Sequence, residues 1–170
     1  ASTAPSDAVS PTVRSSARRL WTLYIVLTIA LTALLMPAGM NFFDALIHAF
    51  AAMSAGGFSN QGASLAAFPP MAQWVMVPFL FIAGASFPLM LRALTREPLA
   101  IFRDGELRLY LLCGLSGILA LTFLSPDDWL LEHKLRAASF QVASLLSCAG
   151  FASEDYALWR PAAHVVILLV

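Results

Sequence analysis

The chain has 170 residues, of which 59% are hydrophobic and 12% are charged, and its mean hydropathy is +0.77. Soluble domains carry about 25% charged residues, so this composition excludes an ordinary soluble domain and predicts that most of the chain lies in a lipid bilayer. Ten basic and ten acidic residues leave no net charge, which excludes a basic surface for nucleic acid.

Residues 1–19 form the first segment. The run 1–13 is small, polar and rich in Ser and Pro, a composition typical of disorder, and the basic cluster Arg14, Arg18 and Arg19 follows it. A signal peptide is disfavoured, because this cluster comes after a long tail and precedes an apolar run too long for a signal core. We therefore expect a disordered N-terminal tail.

Four uncharged, apolar stretches are candidates for transmembrane helices: 20–36, 69–91, 109–124 and a run that begins at Pro161. About 20 apolar residues cross a bilayer, so the first two are long enough and the third spans only a thin core. Pro78 and Pro88 are expected to bend the second stretch. The fourth is still apolar at Val170, without a cap or polar flank, so we expect a fragment of a longer protein.

Between the first two stretches lies a half-helix, residues 41–54, which leads into the glycine-bearing run MSAGGFSN at 53–60. Asn41 is a favourable N-cap, and Asp44 three residues later completes a start that resembles a capping box. At 1.5 Å per residue this helix is about 20 Å long, which is too short to cross a core of about 30 Å. We predict that it enters the membrane and ends inside it.

The same order of elements recurs after the third stretch, as a predicted half-helix at 137–147 followed by SCAGFASE at 147–154. An offset of 93 residues aligns four identical pairs: Ser54 with Ser147, Gly57 with Gly150, Phe58 with Phe151 and Leu65 with Leu158. Many transport proteins are built from internal repeats. The sequence therefore predicts two repeats of a span, a half-helix, a glycine loop and a second span.

The glycine loops are the predicted functional site. Irregular backbone at membrane depth is tolerated only where it is buried in protein or lines water. A half-helix points the negative end of its dipole at the middle of the membrane, and glycine lets the following carbonyls turn inward. A ring of such carbonyls replaces the water shell of a cation. No charged side chain lies within 53–60, so a filter there is made of main chain.

The distribution of charge predicts the orientation of these loops. Seven of the ten basic residues fall on one predicted side: Arg14, Arg18, Arg19, Arg92, Arg96, Arg103 and Arg108. The opposite side carries Lys134, Arg136 and Arg160 with Asp44, Asp127, Asp128, Glu132, Glu154 and Asp155. By the positive-inside rule the arginine-rich side is cytoplasmic. Both glycine loops then open outward, and the acidic residues near the second favour the approach of cations.

At this point the residues resemble the Trk/Ktr/HKT superfamily of potassium transporters, and within it the bacterial Trk-type membrane subunit. FDALIHAFAAMSAGGFS (43–59) looks like the pore helix and filter of its second repeat, and FQVASLLSCAGFASEDYALW (140–159) looks like those of its third. SFPLMLRALTREPLAIFRDGELRLYLL (86–112) looks like the cytoplasmic connection between them. The resemblance covers residues 20–170 and includes three separate motifs in order.

The resemblance implies an all-α membrane protein made of repeated units, each a transmembrane helix, a re-entrant pore helix with its filter loop, and a second transmembrane helix. It divides the chain into the tail 1–19, a first repeat at 20–91, a cytoplasmic connection at 92–108 and a second repeat at 109–170 that is truncated in its last helix. The implied function is potassium uptake across the bacterial inner membrane, without catalysis or a cofactor. The implied partners are the lipid bilayer, a homodimer of full-length subunits and a cytoplasmic nucleotide-binding regulatory subunit.

The resemblance implies that the filter comprises Ala55, Gly56, Gly57 and Phe58 in the first loop, and Cys148, Ala149, Gly150 and Phe151 in the second. Their backbone carbonyls would bind K⁺. In this family a serine in place of a filter glycine accompanies sodium permeability, so the glycines imply potassium preference. Two places depart from the family pattern. Cys148 and Ala149 stand where Thr is usual, and Gly62 stands where an acidic residue is common, so a less selective Na⁺/K⁺ transporter is an alternative.

Some residues have simpler interpretations. Asp44 and His48, spaced i,i+4, could share a metal or a proton, but a helix cap and an interfacial histidine are favoured. Trp159 is a predicted interfacial anchor. Cys113 and Cys148 lie in apolar stretches far apart in sequence, which favours buried free thiols over a disulfide or a metal site.

Two other classes of function are alternatives. An intramembrane protease needs a Ser–His or paired-Asp site inside the spans, and the predicted spans contain no Asp or Glu. A non-transporting scaffold or assembly subunit, whose half-helices only pack, stays open. The observation that separates a scaffold from a transporter is whether residues 53–60 and 147–154 face one another.

Overall fold

The computed structural model describes residues 11–85, 90, 104–155, 157 and 159–169. Six α-helices and one 3₁₀ turn have described bounds, and the described residues contain no strand. The helices are α1 (Pro11–Leu35), α2 (Phe42–Met53), α3 (Pro70–Gly84), α4 (Gly105–Leu124), α5 (Leu131–Leu146) and α6 (Pro161–Leu169), and the 3₁₀ turn is Ser64–Ala67. The predicted all-α fold class is confirmed.

The first half-helix closely matches its prediction. Asn41 is the N-cap of α2, and its side-chain oxygen accepts a hydrogen bond from the backbone N–H of Asp44. In a capping box the side chain at the third helical position accepts from the backbone N–H of the N-cap residue. Here Asp44 Oδ2 accepts instead from the side chain of Asn41, whose Nδ2 lies 2.8 Å away. The helix ends at Met53, where Ser54 becomes the C-cap.

Two helices begin earlier in the chain than the apolar pattern indicates. Helix α1 starts at Pro11, so the disorder predicted for 11–19 is wrong; the rest of that prediction, 1–10, lies outside the described residues. Proline suits the first helical position, and the following Ala and Arg residues are good helix formers. Helix α5 starts at Leu131 instead of 137, because the polar run LEHKLR is also helix-forming and places Glu132 in the favourable first turn.

The described part of the second apolar stretch is α3, which ends at Gly84 and contains Pro78. The predicted bend at Pro88 and the connection 92–103 lie outside the described residues. Helix α6 begins at Pro161 as expected. By length and composition, two described helices can cross a membrane, Arg14–Leu35 within α1 and Gly105–Leu124, which is α4.

The helices form two three-helix units that contact each other through α3 and α5. Helix α1 packs on α2 and α3, α4 packs on α5 and α6, and α3 packs extensively on α5. Gly84, at the end of α3, makes this contact close, since a Cβ there would lie 2.8 Å from Ser147 Cα. The end of α3 therefore touches the foot of α5, where the second glycine loop begins.

Large apolar side chains cover the outside of α1 and α4. Trp21 and Ile29 on α1 are 66% and 63% exposed, and Leu109 and Phe123 on α4 are 64% and 78% exposed. Such surfaces are costly in water and favourable against lipid chains or further apolar helices. The exposed surface therefore agrees with the membrane environment that the composition predicts.

Candidate functional site

The backbone immediately after α2 forms a helix-terminating motif that reverses the chain. The N–H of Ala55 donates to the carbonyl of Ala52 at 3.1 Å, and the N–H of Gly56 donates to the carbonyl of Ala51 at 2.8 Å. This is the hydrogen-bond pattern of a Schellman motif. Ala55 takes a left-handed conformation with φ of 53° and Gly57 one with φ of 61°, so the chain leaves the helix end by two left-handed residues.

The backbone after α5 repeats this path 93 residues later. Cys148 N–H donates to Leu145 at 2.8 Å, and Ala149 N–H donates to Ser144 at 3.0 Å. Cys148 has φ of 56° and Gly150 has φ of 77°. Each bond and each left-handed residue falls at the offset of 93, so the loops 54–60 and 147–153 share one backbone conformation at their start. They are named the first and second filter loops after the role that the sequence predicts for them.

The two filter loops meet. A Cβ placed on Gly57 would lie 1.7 Å from the carbonyl oxygen of Ala149, so only glycine permits this approach. The segment just beyond the first loop also contacts the second loop, because the N–H of Leu65 donates to the carbonyl of Ala152 at 2.9 Å, and the N–H of Ala152 donates to Ser64 Oγ at 3.3 Å. The residues predicted to form one site are therefore adjacent, although about ninety positions separate them in the chain.

The first filter loop is tied back to α2 by Asp44. Asn60 Nδ2 donates to Asp44 Oδ1 at 2.5 Å, while Asn41 Nδ2 occupies the other carboxylate oxygen. The carboxylate is buried and accepts from two amides, which compensates its removal from water. Asp44 thus does more than cap a helix, because it also holds the chain that leaves the first filter loop.

His48 makes the second tie between α2 and the first filter loop. Its Nδ1 lies 2.7 Å from the carbonyl oxygen of Asp44, and its Nε2 lies 2.9 Å from Ser59 Oγ. The ring is fully buried and stacks on Phe151 of the second filter loop, with ring centroids 5.9 Å apart. The prediction of an interfacial histidine is therefore wrong, because the second unit covers this face of α2.

The second filter loop is held differently. Ser144 Oγ donates to the carbonyl of Phe151 at 2.8 Å, and the Phe151 side chain is only 1% exposed. Its counterpart Phe58 is 77% exposed. The two loops therefore share a backbone path but differ in the surroundings of the aromatic residue that follows each glycine.

A buried arginine lies behind both loops. Arg136 on α5 donates from Nη1 to Gln73 Oε1 on α3, and Gln73 Nε2 donates to the carbonyl of Leu65 at 3.0 Å. The guanidinium also lies 3.8 Å from Glu154, which follows the second filter loop. This chain of contacts joins α5, α3 and both post-filter segments, and it compensates a cation that is 7% exposed.

His133 and Glu132 extend the polar cluster around Arg136. His133 Nε2 lies 2.7 Å from Glu154 Oε1, and its ring stacks on Trp129 with centroids 4.1 Å apart. Glu132 lies 3.3 Å from Arg136 Nε. Within the residues that the structure describes, no three His, Cys, Asp or Glu side chains come together as a metal site.

Two further predictions about individual side chains are wrong. Cys113 and Cys148 are free but exposed, because Cys113 lies on the outer face of α4 and Cys148 lies at the turn where the chain leaves α5. Trp159 is 4% exposed and packs with Trp129 and with the ends of α4 and α6. It is a core residue of the second unit.

Sequence reasoning did not identify Gln73, Gly84 or the role of Arg136. Their contacts join segments that are distant in the chain, such as Arg136 with Gln73. The one available signal was the isolated Gln73 in an otherwise apolar stretch, because a buried amide requires partners.

Comparisons with known proteins identify relatives of this chain. The sequence model of the TrkH family, described as "Cation transport protein", matches residues 4–125. The Trk system potassium uptake protein TrkH of Halomonas elongata is 35% identical over 167 residues, which are 95% of this chain and 34% of that protein. TrkG of Escherichia coli K12, also named a Trk system potassium uptake protein, is 31% identical over 170 residues, which are 96% of this chain and 34% of that protein.

Among solved structures, the crystal structure of the potassium transporter TrkH from Vibrio parahaemolyticus matches with a TM-score of 0.88 at 28% identity, covering 96% of this chain and 36% of that one. The chain spans about a third of the length of the curated relatives it matches. From the sequence match over 4–125 and the shared fold, we conclude that the chain belongs to the TrkH family of cation transport proteins.

Proposed function

We propose that this chain supplies two filter-forming repeats of a Trk-type potassium uptake subunit in the bacterial inner membrane. The observation that carries the proposal is the meeting of two loops with the same left-handed turns and the same helix-end hydrogen bonds, at an offset of 93 residues. The relatives at 31–35% identity are named potassium uptake proteins.

In this proposal K⁺ is the transported ion and the main chain is its ligand. The carbonyls of Ala55, Gly56, Gly57 and Phe58 act together with those of Cys148, Ala149, Gly150 and Phe151. Helices α2 and α5 end at these loops, so the negative ends of both dipoles face the ion and lower its electrostatic energy. The loops contain no charged side chain before Glu154, so the ion sheds water onto neutral oxygen atoms.

Two open surfaces support a larger ring around the ion. The space around Gly150 is empty within 4 Å of a Cβ placed there, whereas the same space at Gly57 is filled by Ala149 of the next loop. Phe58 is exposed, whereas Phe151 packs on the preceding pore helix. We expect further filter loops of the complete subunit to occupy both places.

The partners and orientation are part of the same proposal. We propose a homodimer of complete subunits, regulated by a cytoplasmic nucleotide-binding subunit, as in the family that the sequence resembles. Arg14, Arg18 and Arg19 at the start of α1 are exposed, and on the positive-inside rule they belong to the cytoplasm. Both filter loops then face outward, with Glu154 at the mouth of the second.

The test is rubidium uptake by potassium-starved cells that lack their own transporters and express the full-length parent gene. Gly57→Ser and Gly150→Ser are compared with Gly62→Ser at matched membrane expression. Gly62 is the control because it lies outside both filter loops, a Cβ there meets nothing within 4 Å, and it lacks the positive φ of Gly57 and Gly150.

We expect uptake by the parent and by Gly62→Ser, and loss of uptake or a shift to sodium in the two filter variants. Filter variants that transport like the parent would refute the assignment of the loops. A well-expressed parent that takes up no rubidium, with its regulatory subunit co-expressed, would favour a scaffold. A parent that takes up sodium as well as rubidium would identify the less selective transporter.

A further inference from the structure

We infer that His48 is a positioning residue that locks the first filter loop against the second and thereby sets the discrimination between K⁺ and Na⁺. This inference rests on the proposed function, because it concerns the same pair of loops. The imidazole of His48 is fully buried between the two three-helix units.

Both ring nitrogens of His48 have defined partners. The carbonyl oxygen of Asp44 only accepts hydrogen bonds, so Nδ1 at 2.7 Å carries a hydrogen and donates. In the neutral ring Nε2 is then the acceptor for the Ser59 hydroxyl at 2.9 Å. The same Ser59 oxygen accepts from the N–H of Gln61 at 3.0 Å. The imidazole therefore fixes a hydroxyl that in turn fixes the backbone after Phe58.

The faces of the ring contact the other unit and the end of the first outer segment. One face stacks on Phe151 at 5.9 Å with an interplanar angle of 28°, and Phe68 meets the ring edge to face at 5.0 Å. Phe151 directly follows Gly150, whose neighbour Ala149 touches Gly57. The His48 side chain thus contacts both filter loops, the first by a hydrogen bond and the second by stacking.

A purely structural role does not account for these features. An apolar side chain would fill the same core without the cost of burying two polar nitrogens. The second repeat has Gln141 at the position equivalent to His48 and Ala152 at the position equivalent to Ser59. A histidine–serine bond between these two positions is therefore particular to the first repeat, whereas the second loop is held by Ser144 through a main-chain carbonyl. Both pore helices end in the same way, so the bond between His48 and Ser59 is not required to terminate the helix.

The expected consequence is on selectivity. Discrimination between K⁺ and Na⁺ depends on how closely the carbonyl cage keeps its size and field. Loss of the bond to Ser59 allows the first loop to approach a smaller ion. The loss of one hydrogen bond predicts a change of about three- to tenfold in the affinity ratio.

The experiment uses the full-length parent in the rubidium assay, with saturation curves and competition by sodium. His48→Leu removes both bonds, and Ser59→Ala removes only the partner of Nε2. His48→Gln keeps an acceptor at the reach of Nε2, whereas His48→Asn keeps only a donor near Nδ1. Thr32→Val is the control for a buried polar loss, since Thr32 bonds only within α1.

We expect His48→Leu, Ser59→Ala and His48→Asn to raise KM for rubidium and relative sodium uptake by three- to tenfold. Maximal rate per transporter in the membrane should stay within about twofold, because only one bond near the loop is lost. His48→Gln and Thr32→Val should match the parent.

Equal selectivity in all variants, or a loss of maximal rate without a change in KM, would overturn the inference while leaving the proposed function in place. The same holds if His48→Gln and His48→Asn behave alike. If His48→Leu does not reach the membrane, Ser59→Ala decides, because Ser59 lies in the loop outside the core. A silent parent refutes the proposed function itself, and with it this inference.

Discussion

The first and second filter loops have the same backbone and different supports. Both leave their helix through the same two hydrogen bonds and the same left-handed residues. The first is tied to its own pore helix by Asp44 and His48, whereas the second is tied by Ser144 and by contacts with the first unit. The helix end therefore dictates the path of a filter loop, and the surrounding side chains dictate which neighbour holds it.

The largest effect is expected at the two glycines, and it tests whether the difference between them persists in the complete subunit. Gly57→Ala should reduce rubidium uptake by about 100-fold or more, because a left-handed conformation and a contact with Ala149 are both violated. Gly150→Ala should be equally severe if a further loop covers the space that is open in this structure. A loss at least tenfold smaller for Gly150→Ala would mean that no loop closes on it.

Arg136→Met is expected to be the next most damaging change, because it acts behind both loops. It leaves Gln73 and Glu154 without their buried cation, which should lower the free energy of unfolding by about 3 kcal/mol. The control is Arg160→Met, whose pair with Asp127 is exposed and is worth at most about 1 kcal/mol.

Thermal unfolding of the purified full-length subunit in detergent gives the melting temperature of both arginine variants. Equal melting temperatures for the two would show that Arg136 is not the link between the post-filter segments.

Asp44→Asn should affect the first filter loop and leave the second unchanged, since the second repeat has Ala137 at the equivalent position. The variant keeps one acceptor but loses the charge that binds Asn60, at a cost of about 1–2 kcal/mol. Hydrogen exchange in 54–60 should become faster by roughly tenfold, while exchange in 147–153 should not change.

Asp128→Asn, in the segment between α4 and α5, is the matched control for this charge loss. Faster exchange in both loops after Asp44→Asn would contradict independent supports.

The smallest effect is expected at the second residue of each loop. Ala55 and Cys148 hold left-handed conformations that glycine adopts without a steric penalty. Ala55→Gly and Cys148→Gly should each stabilise the subunit by about 0.5–1 kcal/mol. Ala52→Gly, inside α2, should instead destabilise it by about 1 kcal/mol. The gain in stability from each substitution is measured by unfolding in detergent. Unequal gains from Ala55→Gly and Cys148→Gly would show that the two backbones are not equivalent.

The sequence predicts much of this arrangement because local signals mark it. Asn41 and the glycine run bracket α2 at both ends, and Pro161 marks the start of α6. The left-handed Ala55 and Cys148 could not be predicted, since alanine and cysteine ordinarily avoid that conformation.

The remaining site features arise from contacts between units. The burial of His48 depends on Phe151, and the Arg136–Gln73 bond joins α5 to α3. The spacing of His48 from Asp44 and the distribution of charge around Arg136 are local signals that do not include the neighbouring unit. They therefore assign His48 to an interface and Arg136 to the outer side of the membrane. The charged start of α5 was missed for a related reason, because apolar spacing detects the buried face of a helix and not its polar first turns.

The packing of Phe151 on α2 has a consequence for assembly. The contact runs from the aromatic residue of one repeat to the pore helix of the repeat before it, so it joins unlike surfaces in a head-to-tail manner. A head-to-tail contact propagates in one rotational sense, and it closes only when the last repeat meets the first. In the ring proposed for the complete subunit, the order of repeats along the chain would then fix the handedness. A repeat inserted in reverse would leave its phenylalanine without a preceding pore helix to pack on.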